Sequence, residues 1–149
     1  MLADLSQLYD TPIALEELNT MALDADLKAL AQGRNFAAFS TLMPDGRPQT
    51  QMMWVGADDD HLIINTTVGR QKYRNVTADP RVTVTVFELD NPYRYVEARG
   101  RVISTEPGQG AADSIDALAD KYTGAPYAMR TDDRVVLTVE VERIHKNGY

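Results

Sequence analysis

The sequence predicts a mainly β protein in which six antiparallel strands close into a small Greek-key barrel with helices at its periphery. Two observations lead to this fold class. Apolar and polar residues alternate along several short segments, which is the period of a strand with one buried face. Short turns rich in Pro, Gly, Asn and Asp separate these segments, and short connections favour antiparallel neighbours over βαβ crossovers. Closure into a barrel then removes the exposed sheet edges.

The strands are bounded by turn signals that have a physical basis. Pro44-Asp45-Gly46 follows the first strand, because proline sets φ and glycine permits a positive φ. Asp58-Asp59-Asp60 follows the second strand, Asp79-Pro80 precedes the fourth, and Asn91-Pro92 forms the turn before the fifth. The predicted strands occupy residues 35–43, 47–55, 61–66, 81–88, 93–103 and 134–144.

Apolar residues at three- and four-residue spacing predict two helical regions. The first covers residues 12–32 in two pieces, with Asp24 as the cap of the second piece and Gly33 at its end. The second helical region covers residues 110–122. We therefore expect residues 1–149 to form a single barrel domain, with a helical segment at 1–33 packed on the barrel.

Composition narrows the class of partner. A net charge of −7 argues against nucleic acid or an anionic membrane as the main partner. No apolar run approaches the roughly 18 residues of a membrane helix. The absence of cysteine excludes disulfides and thiolate chemistry, and the first residues lack the pattern of a signal peptide. A cytoplasmic location, with a small molecule as substrate, is the resulting expectation.

Residues suited to acid–base or nucleophilic catalysis are scarce. The chain has only two histidines and contains no G-x-S-x-G, Walker A or G-x-G-x-x-G motif. Asp58, Asp60 and His61 could approach a metal ion, but a solvated turn explains them better, and no metal site is expected. No catalytic residue is assigned. If the protein is an enzyme, a bound cofactor must carry the chemistry.

The segment from Asn65 to Asn75 is the best candidate for a cofactor site. A strand ends in the hydroxyls of Thr66 and Thr67, Gly69 allows a tight turn, and a basic segment of helical character follows. Residues 70–81 contain four basic side chains and one acid, a local charge of +3. Strand-end hydroxyls, the N–H groups of a helix start and nearby cations suit a phosphate. A solvated basic turn is the alternative interpretation.

Three blocks of sequence, in order and sensibly spaced, carry a family resemblance. They are STLMPDGRPQTQMMWV at 40–55, the run from Leu62 through GRQKYRNV at 69–76 to Asp79-Pro80-Arg81-Val82, and NPYRYVE with RGRV at 91–102. Together they resemble the pyridoxamine-phosphate-oxidase-like superfamily of FMN-binding split β-barrels over residues 25–145. The form of the last block is most similar to the branch that uses the deazaflavin coenzyme F420.

The resemblance implies a homodimer of split barrels with two cofactor sites at the subunit interface. It implies that the cofactor ring lies along the second strand, against Met52, Met53, Trp54 and Val55. It implies that the phosphate meets the segment after the third strand, at Thr66, Thr67, Arg70 and Lys72, with Asn75 in support. Tyr95 and Glu97 would face the partner's site. Tyr122 and Tyr127 would line the substrate side, with packing in the core or on the surface as the alternative.

The function implied by the resemblance is an F420-dependent oxidoreductase that passes a hydride from the reduced deazaflavin to a small electrophile. A quinone, an unsaturated carbonyl or a biliverdin-like compound would be its substrate. Arg74 and Arg81 would serve the polyglutamate tail of the coenzyme. Two alternatives stay open: an FMN-dependent oxidase or reductase on the same fold, and a non-catalytic protein that binds a flavin, deazaflavin or haem-related ligand.

Overall fold

The computed structural model describes residues 22–129 and 131–149 of the chain. Within these ranges it contains three helices and seven strands. The helices are α1 (Ala25–Gln32), α2 (Gln71–Ala78) and α3 (Gln109–Thr123). The strands are β1 (Phe36–Leu42), β2 (Pro48–Met53), β3 (Gly56–Ala57), β4 (Leu62–Thr67), β5 (Arg81–Glu88), β6 (Asn91–Pro107) and β7 (Arg134–Asn147).

All seven strands form one antiparallel sheet in the order β2-β1-β5-β6-β7-β4-β3. The edge strands β2 and β3 are separated along the chain by only Trp54 and Val55. Extended chain covers ~3.3–3.6 Å per residue, so Met53 and Gly56 lie within about 10 Å of each other. The two edges therefore meet at this crossing, and the sheet curls into a half-closed barrel. The predicted mainly β, antiparallel barrel is confirmed.

The strand count is seven rather than the predicted six. The additional strand is β3, whose two residues pair with Leu62 and Ile63 across the turn at 58–60. Two residues are too few to show an alternating pattern, so the sequence gives no signal for this strand.

The core lies inside the curl of the sheet. Alternate residues of β5 point inward and are buried, namely Val82, Val84 and Val86. Phe39 of β1 is 1% exposed, and Leu27 of α1 closes one end of the same cluster. Full burial of side chains of this size stabilises the fold by about 1.5–3 kcal/mol each.

The second helical piece ends where the sequence indicated. Asp24 caps α1, with its carboxylate accepting a hydrogen bond from the Leu27 N–H at 3.1 Å, and Gly33 follows the last turn. The prediction of a helix before residue 22 lies outside the described residues.

The turn predicted at Asn91-Pro92 lies two residues earlier in the structure. Asn91 pairs with Glu88, so the β5–β6 hairpin turns at Leu89 and Asp90, and Asn91-Pro92 begins β6. A two-residue loop is the commonest hairpin connection. Proline is tolerated there because it lies at the start of the strand, where its missing N–H breaks little of the ladder.

Candidate functional site

The barrel is split between β2 and the end of β4. In the part of the chain that the structure describes, β2 pairs with β1 alone, and β3 covers only Leu62 and Ile63 of β4. A cleft of about 400 Å³ opens where this cover ends. Its walls come from β2, β4, the start of α2, α3 and the start of β7. They are Gln51, Met52, Met53, Trp54, Asn65, Thr66, Arg70, Lys72, Ile115, Leu118, Tyr127 and Arg134.

One end of the cleft is formed by the start of α2. After β4 the chain turns sharply, with the Arg70 N–H donating to the Thr67 carbonyl at 3.1 Å. Arg70 is the N-cap residue, and no side chain caps the helix. The first N–H groups of a helix have no intrahelical acceptor and carry a partial positive charge. This helix start therefore suits an anion.

Three cations converge on the same end of the cleft: Arg70, Lys72 and Arg134. Lys72 is 7% exposed, and its Nζ contacts only a weak acceptor, the Sδ of Met53, at 3.0 Å. Burial lowers the pKa of Lys72, and the charges of Arg70 and Arg134 lower it further. Among the described residues, no carboxylate forms an ion pair with any of the three. The cleft thus concentrates positive charge that its own walls do not neutralise.

The pairing of β7 with β4 brings Arg134 close to Arg70 and Lys72. Arg134 lies directly opposite Thr67 in the β4–β7 pairing, and its guanidinium stands 4.7 Å from the centre of the Tyr127 ring. Its Nε is buried and has no hydrogen-bond partner. From the sequence, this residue was predicted only to begin a strand. The long-range register that brings it beside the basic segment leaves no local signal.

Asn65 lines the cleft at the start of the predicted cofactor segment, where it had no individual role. Its side chain is 5% exposed, and its Nδ2 donates to the Ala111 carbonyl of α3 at 2.9 Å. Its Oδ1 is buried without a partner. Buried acceptors without a hydrogen-bond partner are rare in folded proteins, which makes this oxygen an exception in the cleft wall.

The rings of Trp54 and Tyr127 form part of the same cleft wall, and Tyr122 supports Trp54 from behind. Trp54 stacks on Tyr122 with ring centres 5.1 Å apart and an interplanar angle of 5°. The edge of Tyr127 meets the same indole at 6.2 Å. Offset or edge contacts of this kind hold aromatic rings in place. Trp54 is therefore a fixed surface at the cleft mouth.

The end of α3 anchors the crossing that carries Trp54. The Tyr122 hydroxyl accepts from the Val55 N–H at 3.2 Å and donates to the Asn35 carbonyl. The Lys121 ammonium donates to the carbonyls of Ala31 and Val55. Burial lowers the pKa of Lys121 to about 8. These contacts tie the β2–β3 crossing to α1 and α3.

Six of the residues predicted for cofactor binding lie together in the cleft wall: Met52, Met53, Trp54, Thr66, Arg70 and Lys72. Val55 does not, because the crossing turns its side chain into the core, where it is 0% exposed. Thr67 lies beside the cleft, opposite Arg134. Tyr95 is on β6, paired with Phe87 and Asn147, and is not part of the cleft wall.

Asn75 lies behind the cleft and not in its wall. It is 2% exposed, donates to Thr41 Oγ1 at 2.9 Å and accepts from Gln71 Nε2 at 2.8 Å. These bonds fix α2 against β1, which is a supporting position.

The two arginines predicted for a polyanionic tail are both engaged within the protein. Arg74 donates to the Gly69 carbonyl at 2.8 Å and to Gln71 Oε1 at 2.7 Å. Arg81 forms a two-point pair with Asp79. Any tail would have to displace these partners.

The turn at 58–60 has an internal explanation. Asp58 accepts from the N–H groups of Asp60 and His61 at 2.8 and 2.7 Å. The described residues contain no cluster of acidic, histidine or cysteine side chains that could hold a metal. Across the same residues, no helix has the length and apolarity to cross a membrane.

The curled antiparallel sheet, open along one side at a cationic cleft, defines this protein as a split β-barrel. Residues 23–148 match the family model of pyridoxamine 5'-phosphate oxidase, and the chain belongs to that family.

Solved structures with the same fold include an F420 reductase, with a TM-score of 0.73 and 34% identity over 84% of this chain and 100% of that one. A conserved hypothetical protein from Mycobacterium tuberculosis gives a TM-score of 0.69 at 21% identity, covering 86% of each chain. The haem storage protein HutZ from Vibrio cholerae gives 0.63 at 15%, over 87% of this chain and 97% of that one. The last two show a shared fold alone.

Proposed function

We propose that this protein is an F420-dependent oxidoreductase that binds the coenzyme in the cleft between β2 and β4. One observation carries the proposal: Arg70, Lys72 and Arg134 converge beside Trp54 with no carboxylate partner in the described ranges. A surplus of positive charge, with Lys72 buried, next to a fixed aromatic surface suits an anionic, ring-bearing cofactor. The 34% identity to a chain described as an F420 reductase supports the deazaflavin over other cofactors.

The cleft residues fit such a cofactor in two parts. Arg70, Lys72 and Arg134 would hold its phosphate with the Thr66 hydroxyl, while Trp54 would border the ring. When bound, the reduced deazaflavin supplies a hydride to an activated double bond or a similar electrophile. None of the side chains in the cleft wall is a carboxylic acid or a histidine. The chain's own contribution is therefore to bind, to orient and to exclude water, and the proton would come from solvent or substrate.

The substrates we propose are quinones, unsaturated carbonyls or biliverdin-like compounds, acted on in the cytoplasm. An apolar acceptor would enter where Met52 and Trp54 meet the open side of the cleft. Met52 is 57% exposed, which leaves an apolar surface at this entrance.

We also propose a homodimer with twofold symmetry. The outer face of β1 and β5 carries small, half-exposed side chains in register, with Ala38 opposite Thr85 and Ser40 opposite Thr83. Such a face is flat enough to pack against a copy of itself. Tyr95 lies on the neighbouring strand of this face and would be brought toward the partner's cleft. Sedimentation equilibrium at micromolar concentration tests this, and a 16.6 kDa monomer would contradict it.

The cofactor is tested by titrating wild type with oxidised F420 and with FMN, using Trp54 fluorescence and calorimetry. We expect tighter binding of F420. Arg70→Ala should weaken it by about 1.5–3 kcal/mol, the value of hydrogen bonds to charged groups. The matched control is Arg101→Ala, which removes an exposed arginine on β6 and should leave affinity unchanged. Equal loss in both variants would contradict the site.

Tighter binding of FMN would favour the flavin-dependent alternative, because the same cations can hold its phosphate. Turnover is assayed separately, by following the reoxidation of reduced F420 in the presence of menadione as a quinone acceptor. Stoichiometric coenzyme binding without reoxidation by any acceptor class would favour a carrier over an enzyme.

A further inference from the structure

The charged end of Arg134 is held in the cleft by an aromatic ring. Its guanidinium carbon stands 4.7 Å from the centre of the Tyr127 ring, and both residues line the cleft between β2 and β4. Across residues 22–129 and 131–149, Arg134 forms no ion pair, and its buried Nε has no hydrogen-bond partner. The position of the guanidinium therefore depends on the Tyr127 ring.

Arg81 shows the other way in which this protein holds an arginine. It forms a two-point pair with Asp79, at N–O distances of 3.0 and 2.7 Å. A carboxylate fixes a guanidinium firmly, but it also neutralises the charge. An aromatic face attracts a guanidinium through its quadrupole and carries no net charge. The contact with Tyr127 thus fixes Arg134 while its positive charge is retained.

The Tyr127 ring is itself fixed from two directions. The Tyr127 N–H donates to Asp116 Oδ1 on α3 at 3.0 Å. The edge of the ring meets the Trp54 indole, with ring centres 6.2 Å apart and planes at 88°. A ring that is anchored to a helix and packed against an indole can hold a long arginine side chain in one orientation. Ordering that side chain before a ligand arrives removes part of the entropy cost of binding.

We infer that Tyr127 is a positioning residue: its ring fixes the Arg134 guanidinium beside Arg70 and Lys72 and preserves the charge of the arginine for an anionic ligand. The inference rests on the proposed function only in requiring an anion at this end of the cleft. It does not depend on which cofactor carries that anion. The ring of Tyr127 provides this role, and its hydroxyl does not.

The test is a series of substitutions at Tyr127, with inorganic pyrophosphate as the probe and calorimetry as the measurement. Tyr127→Phe retains the ring and should bind like wild type. Tyr127→Leu removes the ring and should raise the Kd about two- to fivefold, the size of a partly exposed cation–π contact. Tyr127→Glu should raise the Kd at least about tenfold, because a carboxylate would hold Arg134 and neutralise it.

Tyr149 offers a matched control. Its ring centre lies 4.3 Å from the guanidinium carbon of Arg94, and neither residue lines the cleft. Tyr149→Leu and Tyr149→Glu should therefore leave pyrophosphate binding unchanged. NMR supplies a second readout, since the ring current of Tyr127 acts on the Nε–H signal of Arg134. That signal should keep its position in Tyr127→Phe and move in Tyr127→Leu.

Wild-type affinity in Tyr127→Leu or in Tyr127→Glu would overturn the inference. A loss in Tyr127→Phe as large as in Tyr127→Leu would overturn it too, because the hydroxyl would then carry the effect. A wild type that binds no pyrophosphate would do the same.

The two proposals fail separately. If the series behaves as expected while neither F420 nor FMN binds, the cofactor assignment alone is wrong. If F420 binds equally well to wild type and Tyr127→Leu, the role of Tyr127 alone is wrong.

Discussion

Replacing Lys72 by Met should make the protein more stable and a weaker binder at the same time. Lys72 is buried to 7% exposure, has only a sulfur as acceptor and lies among the charges of Arg70 and Arg134. A buried charge without a counter-ion costs folding free energy. Methionine retains the apolar stem of the side chain and removes the charge. The folded state is thereby relieved of a repulsion that only a bound anion would otherwise offset.

The two effects have different sizes. Removal of a mismatched buried group commonly raises the free energy of unfolding by about 0.5–2 kcal/mol. Loss of one hydrogen bond to a charged ligand group costs about 1.5–3 kcal/mol of binding free energy, or about a 10- to 150-fold rise in Kd.

The stability that Lys72 affects also depends on pH, and the sign of this dependence follows from its lowered pKa. Because the folded-state pKa of Lys72 is lowered, the folded protein releases this proton first as pH rises. Stability therefore increases with pH from the lowered pKa up to the ordinary value of 10.5, and the variant lacks this increase.

Urea unfolding followed by Trp54 fluorescence measures the stability, and titration with F420 measures the affinity. Lys28→Met is the matched control, because Lys28 lies on α1, is not part of the cleft wall and is paired with Asp59 at 2.7 Å. That variant should lose a little stability and bind normally. A Lys72→Met protein that is less stable than wild type would refute the reasoning, since the lysine would then be a net stabilising group.

Three further predictions concern the same cleft and its supports. Met53→Glu should give Lys72 a carboxylate partner and weaken anion binding by at least about tenfold, whereas Leu89→Glu on the β5–β6 turn should not; titration checks both. Trp54 emission should be quenched by a cofactor that binds against β2, and unchanged emission on proven binding would displace the ring from this wall. Lys121→Met should lower stability by about 1–3 kcal/mol by leaving two carbonyls unsatisfied. It should also abolish a wild-type rise in stability from about pH 8 upward, measured by denaturant unfolding across pH.

The fold was largely predictable because its strands are defined by local alternation. The bounds of β5 follow directly from its inward valines, and Asp24 and Gly33 mark α1 through capping chemistry that acts over a few residues. The sequence could not show β3, which is two residues long, or the inward turn of Val55. Both depend on how the two sheet edges meet, which is a property of the whole sheet.

The candidate site was predictable only along its contiguous parts. A single strand–turn–helix unit contains Thr66, Arg70 and Lys72, so their short separation in sequence is enough to predict that they lie close together. Arg134 reaches the same site through the pairing of β7 with β4. Asn65 acquires its oriented oxygen from a bond to Ala111 on a helix 46 residues away. Contacts at such separations are decided by register and packing, which composition and periodicity do not encode.

The cleft is present because β3 pairs with only the first two residues of β4. Pairing between β3 and β4 begins only at Gly56 with Ile63, so the residues before Gly56 leave Asn65 and Thr66 of β4 uncovered. A β3 that began earlier in the chain would pair with that part of β4 and fill the space a ligand needs. The bonds from Lys121 and Tyr122 hold the crossing in place while leaving the gap open. The aromatic rings and the cation cluster thus line one cleft, with the Arg134 guanidinium 4.7 Å from the Tyr127 ring centre, and the protein provides both surfaces before any ligand arrives.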